Sequence, residues 1–124
     1  MPGKKKAAHA VTAYVKPTCS TCRKALTYLK DGGVEVETVD LFKTPLNAAG
    51  LKKLLKQLGL RPRDVLRTKE PIYAELGLGS GNHSDAQVIA LMAAHPDLIQ
   101  RPILVRGDKA VLARPAEKTS EILD

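Results

Sequence analysis

The alternation of apolar and polar positions predicts a strand–helix–strand unit near the start of the chain. Residues 10–15 alternate and are rich in β-branched side chains, which is typical of a buried strand. Residues 20–30 place their apolar side chains on one stripe of a helix. After Gly32-Gly33, which favours a helix end, residues 34–41 alternate again and predict a second strand.

The middle of the chain is predicted to be helical. Four leucines with the spacing of one helix face precede Gly59, and they are Leu51, Leu54, Leu55 and Leu58. Short helices are predicted over 62–68 and 71–76, and the glycine-rich stretch 78–83 is expected to be a flexible loop. Ser84 is a suitable N-cap for a further helix over 85–95.

The last part of the chain predicts a β-hairpin and a short helix. Apolar strands over 103–105 and 110–113 flank a turn at 106–109, and residues 116–123 form the final helix. The whole pattern is therefore a βαβ unit, a helical insertion, a hairpin and a helix, which predicts an α/β protein.

Composition limits what the protein can be. A length of 124 residues predicts one domain over 9–124, preceded by a basic arm over 1–8 that is expected to be disordered. There is no apolar run near 18 residues and no apolar segment behind the basic N-terminus, so we expect a cytoplasmic protein without a membrane span. The net charge of +7 suits an anionic substrate or nucleic acid, but four aromatic residues are too few for a base-stacking platform.

The two cysteines of the chain form a Cys-x-x-Cys motif directly after the first predicted strand. Cys19 falls at the N-terminus of the first predicted helix, where backbone N–H groups and the helix dipole favour a thiolate. Cys22 falls on the apolar stripe of that helix, so it is expected to be the less exposed sulfur and the resolving partner. A zinc site needs more ligands than the histidines offer at useful spacing, so no metal is expected and redox or nucleophilic chemistry is favoured over a purely structural pair.

Five segments together resemble the ArsC/Spx family over residues 11–123. They are KPTCSTCRKAL at 16–26, LRTKEP at 66–71, HP at 95–96, QRPI at 100–103 and ARPAE at 113–117. The resemblance implies a thioredoxin-like core of about four mixed strands flanked by helices, with a helical insertion before the C-terminal hairpin. It also implies a cis bond at Arg101–Pro102, directly before the third strand.

The resemblance implies that the protein is a reductase of arsenate or a related oxyanion. Cys19 takes the role of the nucleophile, and three arginines, Arg67, Arg101 and Arg114, take the role of holding the oxyanion. Guanidinium groups suit a tetrahedral oxyanion because they donate paired, charge-assisted hydrogen bonds. Arg23 and Pro102 are assigned supporting roles, whereas Arg61, Arg63 and Arg106 are expected to be solvated charges.

The predicted reaction begins with attack of the Cys19 thiolate on arsenate, and Cys22 or an external thiol resolves the adduct. No bound cofactor is expected, and the electron donor is glutathione with glutaredoxin, or thioredoxin. Glutaredoxin-coupled enzymes of the family typically lack a cysteine at the position of Cys22, so the glutathione-dependent step stays open.

Two other functions remain open at this point. Cys-x-x-Cys is also the pattern of the Spx-type regulators, which bind RNA polymerase and use the pair as a redox switch. The third reading is a general thiol–disulfide reductase. In all three cases we expect a monomer with no membrane association.

Overall fold

The computed structural model describes residues 10–123 of the chain. The basic arm predicted for 1–8 lies outside these residues. Two compact units are distinguished: the first combines the residues up to Thr44 with those from Arg101 onwards, and the second is Pro45–Gln100. The single domain predicted over 9–124 stays a prediction. No helix within 10–123 is long and apolar enough to cross a membrane.

The described elements follow the predicted order. The strands are β1 (Val11–Val15), β2 (Val36–Asp40), β3 (Ile103–Arg106) and β4 (Lys109–Leu112). The helices are α1 (Ser20–Asp31), α2 (Ala48–Leu58), α3 (Pro71–Glu75), α4 (Asp85–Ala94) and α5 (Ser120–Leu123). Single 3-10 turns lie at Pro62–Val65, Leu78–Ser80, Pro96–Leu98 and Ala116–Thr119.

All four strands belong to the first unit and form one mixed sheet. Their order is β2-β1-β3-β4, in which β1 is parallel to β2 and antiparallel to β3, and β3 is antiparallel to β4. The central strand β1 buries Val11, Ala13 and Val15, as its alternation predicts. These side chains pack with buried residues of α1 and α5 in one apolar cluster. The helix that follows β1 is thereby fixed on the sheet, and with it the Cys-x-x-Cys motif.

The hairpin between β3 and β4 turns more tightly than the sequence predicts. Arg106 pairs with Lys109, so only Gly107 and Asp108 form the turn. Gly107 has a φ of 61°, which suits the first loop residue of a type II′ turn and is accessible to glycine without strain. The strands therefore extend one residue further toward the turn than their apolar pattern shows.

The second unit contains α2, α3 and α4. Helix α2 begins three residues before Leu51, because the side chain of Asn47 accepts a hydrogen bond from the Gly50 N–H at 2.7 Å. Helix α4 begins as predicted, with Ser84 and Gln87 forming a reciprocal capping box.

Two expectations about this chain are wrong. The stretch 78–83 is not a loop throughout, because Leu78–Ser80 forms a 3-10 turn with Leu78 buried and Arg63 Nη1 donating to the Leu78 carbonyl at 3.1 Å. Arg63 and Arg106 are also not simple solvated charges. Arg106 Nη1 donates to the carbonyls of Ile122 and Leu123, at 3.2 and 3.3 Å, and so satisfies the end of α5.

Candidate active site

Cys19 occupies the N-cap of α1, as the sequence predicts. Its backbone is extended, with φ −80° and ψ 122°, and its carbonyl accepts the first helical hydrogen bond from the Arg23 N–H at 3.1 Å. The turn before it is closed by the Cys19 N–H, which donates to the Lys16 carbonyl at 2.9 Å. The half-buried thiol therefore faces the free N–H groups of the first helical turn.

The pKa of the Cys19 thiol is lowered by its neighbours. Burial raises this pKa, but the backbone N–H of Cys22, the Cys22 thiol, the backbone N–H of Thr21 and the charge of Arg101 together outweigh it. A lowered pKa agrees with the position of Cys19 at a helix N-terminus. Cys19 is thus the more acidic thiol of the pair.

Cys22 has the opposite character. It is 1% exposed, and burial raises the pKa of its thiol to about 12. The hydrogen bond to Cys19 and the negative charge of Cys19 raise this pKa further. Cys22 therefore stays a neutral thiol and donates to Cys19, and the prediction that it is the less exposed sulfur is confirmed.

Arg101 is a buried cation beside this pair. The residue is 4% exposed, and its charge lowers the pKa of both cysteines. Its guanidinium carbon lies 5.7 Å from the ring centroid of Phe42, which is within cation–π distance. Lys16 Nζ lies 4.9 Å from the same centroid. The Phe42 ring thus contacts two cations, and one of them, Lys16, belongs to the turn before Cys19.

Asp40 holds the turn that presents Phe42. Its Oδ1 accepts a hydrogen bond from the Phe42 N–H at 2.8 Å, directly after β2. Neither Asp40, Phe42 nor Lys16 was predicted to contribute to the site. No spacing in the sequence relates Phe42 to Arg101, because the pairing depends on the order of β2, β1 and β3 in the sheet.

Arg114 is linked to the backbone of Arg101. Its Nη1 donates to the Arg101 carbonyl at 3.0 Å, and this carbonyl directly precedes Pro102. The Arg101–Pro102 bond is cis, as the family resemblance implies, and the Arg114–Pro115 bond is also cis, which was not anticipated. The structure therefore places the charge of Arg101 beside Cys19 and Cys22 and links Arg114 to the backbone of Arg101, all within the first unit.

Arg67 lies in the second unit, where its backbone is firmly held. Its N–H donates to the Leu98 carbonyl at 2.8 Å, next to an antiparallel bridge between Leu66 and Ile99. Its Nε lies 3.5 Å from Oε2 of Glu70, and both side chains are one quarter exposed. The role of Arg67 in oxyanion binding stays a prediction.

Pro102 and Arg23, the two residues with predicted supporting roles, differ in exposure. Pro102 is buried directly before β3, whereas Arg23 is exposed in the first turn of α1, and the supporting roles of both stay predictions.

Among residues 10–123, no three His, Cys, Asp or Glu side chains form a group that could hold a metal ion.

Comparison with known proteins places this geometry in a family. The profile of the ArsC family matches residues 14–122. The chain is 42% identical to the Escherichia coli strain K12 protein called uncharacterized protein YfgD, over 91% of this chain and 96% of that protein. It is 37% identical to a protein of Rhizobium meliloti named arsenate reductase, over 91% of this chain and 81% of that protein.

A solved structure agrees with these relatives. The structure titled arsenate reductase from Vibrio cholerae superimposes with a TM-score of 0.88 and 40% identity, covering 93% of this chain and 98% of that one. The thioredoxin-like architecture implied by the sequence is thereby confirmed. The chain belongs to the ArsC family.

Proposed function

We propose that the protein is a thiol-dependent reductase of arsenate or a related oxyanion, with Cys19 as the nucleophile. The observation that carries the proposal is the lowered pKa of Cys19 beside the buried guanidinium of Arg101. A thiolate next to a buried cation suits attack on an anionic electrophile, because the cation offsets the repulsion between thiolate and substrate. Relatives named arsenate reductase support the choice of oxyanion.

The first step forms a bond between sulfur and arsenic. The Cys19 thiolate attacks As(V) of arsenate, and one arsenate oxygen leaves as water after it has taken up protons from the solvent. Arg101 and Arg114 bind the remaining oxygens in this proposal. The role of Arg67 as a third oxyanion ligand rests on the sequence resemblance alone.

The second step reduces arsenic. A thiolate attacks Cys19 Sγ, an S–S bond forms, and the S–As bond breaks with its electron pair remaining on arsenic, which leaves as arsenite. Arsenic gains two electrons, and the two sulfurs together lose two. The disulfide is then reduced by an external dithiol such as glutaredoxin or thioredoxin.

Cys22 is the internal candidate for the attacking thiol. Its pKa is held high partly by the negative charge of Cys19 and by the hydrogen bond to it. Both contributions disappear once Cys19 has formed a covalent adduct. We expect the pKa of Cys22 to fall at that point, so that Cys22 becomes a better nucleophile when a resolving thiol is needed.

The test is arsenite formation by the purified protein, supplied with glutathione and glutaredoxin or with thioredoxin and its reductase. Cys19→Ser should abolish turnover, and Arg101→Ala should lower kcat about 10²-fold, as loss of a preorganised donor does elsewhere. Arg61→Ala, which removes a highly exposed arginine, is the matched control. Full turnover of the Cys19→Ser protein would contradict the proposal.

A second candidate function is favoured by the opposed pKa values of the two cysteines. A reactive thiolate beside a neutral thiol suits reversible Cys19–Cys22 disulfide formation, as in a general thiol–disulfide reductase or a redox-sensing regulator. If no donor supports arsenate turnover but the disulfide forms reversibly, the regulator becomes the better proposal. Capture of RNA polymerase by the oxidised and not by the reduced protein would then support it.

A further inference from the structure

The ring of Phe42, just after β2, is close to two cations. The guanidinium carbon of Arg101 lies 5.7 Å from the ring centroid, and Lys16 Nζ lies 4.9 Å from it. All three residues belong to the first unit, together with Cys19. We propose that Phe42 is a positioning residue, which holds the Arg101 guanidinium where its charge acts on Cys19. The inference rests on the proposed function, because it concerns the nucleophile of that reaction.

The backbone that carries Phe42 is held on both sides of the residue. Asp40 Oδ1 accepts hydrogen bonds from the Phe42 N–H at 2.8 Å and from the Lys43 N–H at 3.4 Å. The Leu41 N–H donates to the Val15 carbonyl of β1 at 3.0 Å, and the Leu41 side chain is fully buried. The ring is therefore presented from a turn whose backbone is tied to the sheet and to its own acidic side chain.

Arg101 benefits from such a contact because its side chain is buried. The residue is 4% exposed, and a buried charge is destabilising unless neighbouring groups compensate for the lost water. An aromatic ring attracts a guanidinium through the negative potential of its face, and this attraction strengthens when water is excluded. Phe42 therefore lowers the cost of burying Arg101 and favours one position of its side chain.

A ring stabilises a cation without neutralising it. Arg67 illustrates the alternative, since its Nε lies 3.5 Å from the carboxylate of Glu70, whose negative charge offsets the positive one. Phe42 adds no negative charge beside Arg101, and the positive charge of Arg101 lowers the pKa of Cys19. A ring partner therefore suits an arginine that acts on a thiolate and binds an anion, whereas a carboxylate partner would weaken both effects.

The second cation connects Phe42 to the turn before Cys19. The carbonyl of Lys16 accepts the hydrogen bond from the Cys19 N–H at 2.9 Å. A change at Phe42 thus has two routes to Cys19, one through Arg101 and one through Lys16. Substituting Arg101 separates them, because an effect that acts through Arg101 disappears in that variant and an effect that acts through Lys16 persists.

The sequence permits a direct test, because Phe42 is the only phenylalanine of the chain. Expression in a phenylalanine-auxotrophic host, fed phenylalanine with one, two or three ring fluorines, therefore changes this ring alone. Fluorine withdraws electron density from the ring face and weakens its attraction for a cation, while the shape of the side chain is nearly retained. The measurement is the rate at which iodoacetamide, an uncharged reagent, alkylates Cys19 of the reduced protein at different pH values.

We expect each added fluorine to raise the pKa of Cys19 and to slow its alkylation below that pKa. Three fluorines should slow the reaction up to about fivefold, since one cation–π contact corresponds to a factor of roughly two to five in an equilibrium constant. Phe42→Leu should slow it at least as much, and Phe42→Tyr should retain the wild-type rate. Tyr28→Leu, which removes an exposed ring of α1, is the control and should have no effect.

Fluorination should leave the alkylation rate unchanged in the Arg101→Ala protein. A rate that does not depend on fluorination when Arg101 is present would overturn the inference. An equal fluorine effect with and without Arg101 would also overturn it, because the effect would then act through Lys16. If Arg101→Ala does not fold, Lys16→Ala gives the reciprocal test, in which the fluorine effect should persist.

Arsenate turnover is measured separately on the same proteins, since the alkylation assay contains no arsenate. Intact turnover without a fluorine effect on alkylation removes only the positioning role of Phe42. A fluorine effect on alkylation without turnover of arsenate removes only the proposed reductase.

Discussion

Single residues decide which of the two thiols reacts. Cys19 is surrounded by donors and a cation, whereas Cys22 is enclosed by the apolar cluster of the first unit. We expect iodoacetamide at neutral pH to modify Cys19 in the folded protein and to spare Cys22. Peptide mapping after alkylation checks this, and equal labelling of both cysteines would contradict it. Labelling of Cys22 after unfolding in urea is the positive control.

Arg101 makes a separate contribution to the reactivity of Cys19. Because its positive charge lowers the pKa of Cys19, Arg101→Ala should raise that pKa. The measurement is the thiolate absorbance, or the alkylation rate, as a function of pH. Arg61→Ala should leave the pKa of Cys19 unchanged. If Arg101→Ala also leaves this pKa unchanged, the charge of Arg101 does not contribute to it.

The sequence predicts the parts of the site that depend on neighbours along the chain. The N-cap position of Cys19 and the burial of Cys22 both follow from the helical stripe that begins at Ser20. The contact of Arg101 with Phe42 does not follow, because 59 positions separate the two residues and only the sheet order brings them together. The link from Arg114 to the Arg101 carbonyl escaped prediction for the same reason.

At the scale of elements, the sequence predicts some helix N-termini and misses others. Ser84 was predicted as a cap because it directly precedes the helix predicted over 85–95, and its side chain does accept a hydrogen bond from the Gln87 N–H. Asn47 was missed because the leucine pattern starts only at Leu51, one turn into α2. Apolar periodicity marks where a helix becomes buried, and a helix often begins before that point.

The cap of α4 gives a stability prediction. Ser84→Ala removes an acceptor for the Gln87 N–H and should lower the free energy of unfolding by about 1 kcal/mol. Urea unfolding followed by circular dichroism measures the change. Ser120→Ala, at an exposed position of α5, is the control and should have a smaller effect. If the two substitutions cost the same, the Ser84 cap does not stabilise α4.

The stability of the whole molecule should depend on pH through Cys22. The pKa of this thiol is raised from an ordinary value of 9.0 to about 12 in the folded protein. The unfolded chain therefore releases this proton first as the pH rises. The neutral Cys22 thiol therefore makes its full contribution to the free energy of unfolding below about pH 9, and this contribution decreases as the pH approaches 12.

The comparison is between Cys19→Ser and Cys19→Ser/Cys22→Ala, so that neither disulfides nor Cys19 ionisation contribute. Burial still raises the pKa of Cys22 in the absence of the Cys19 thiol, so the difference in unfolding free energy between them should shrink by about 1 kcal/mol from pH 7.5 to pH 10. The lysines are common to both proteins and cancel in the difference. A difference that is independent of pH would mean that Cys22 ionises in the folded state almost as easily as in the unfolded chain.

The β3–β4 hairpin lies between Arg101 and Arg114 in the chain, and its register fixes the spacing between these two residues. Its register pairs Ile103 with Leu112, and the Ala113 N–H donates to the Pro102 carbonyl at 3.0 Å directly before Arg114 turns back to Arg101. A one-residue slip in this register would send each side chain of β4 to the opposite face of the sheet. An insertion at the Gly107-Asp108 turn that shifted this register would therefore displace Arg114 relative to Arg101, although the turn lies at the far end of the hairpin from both residues.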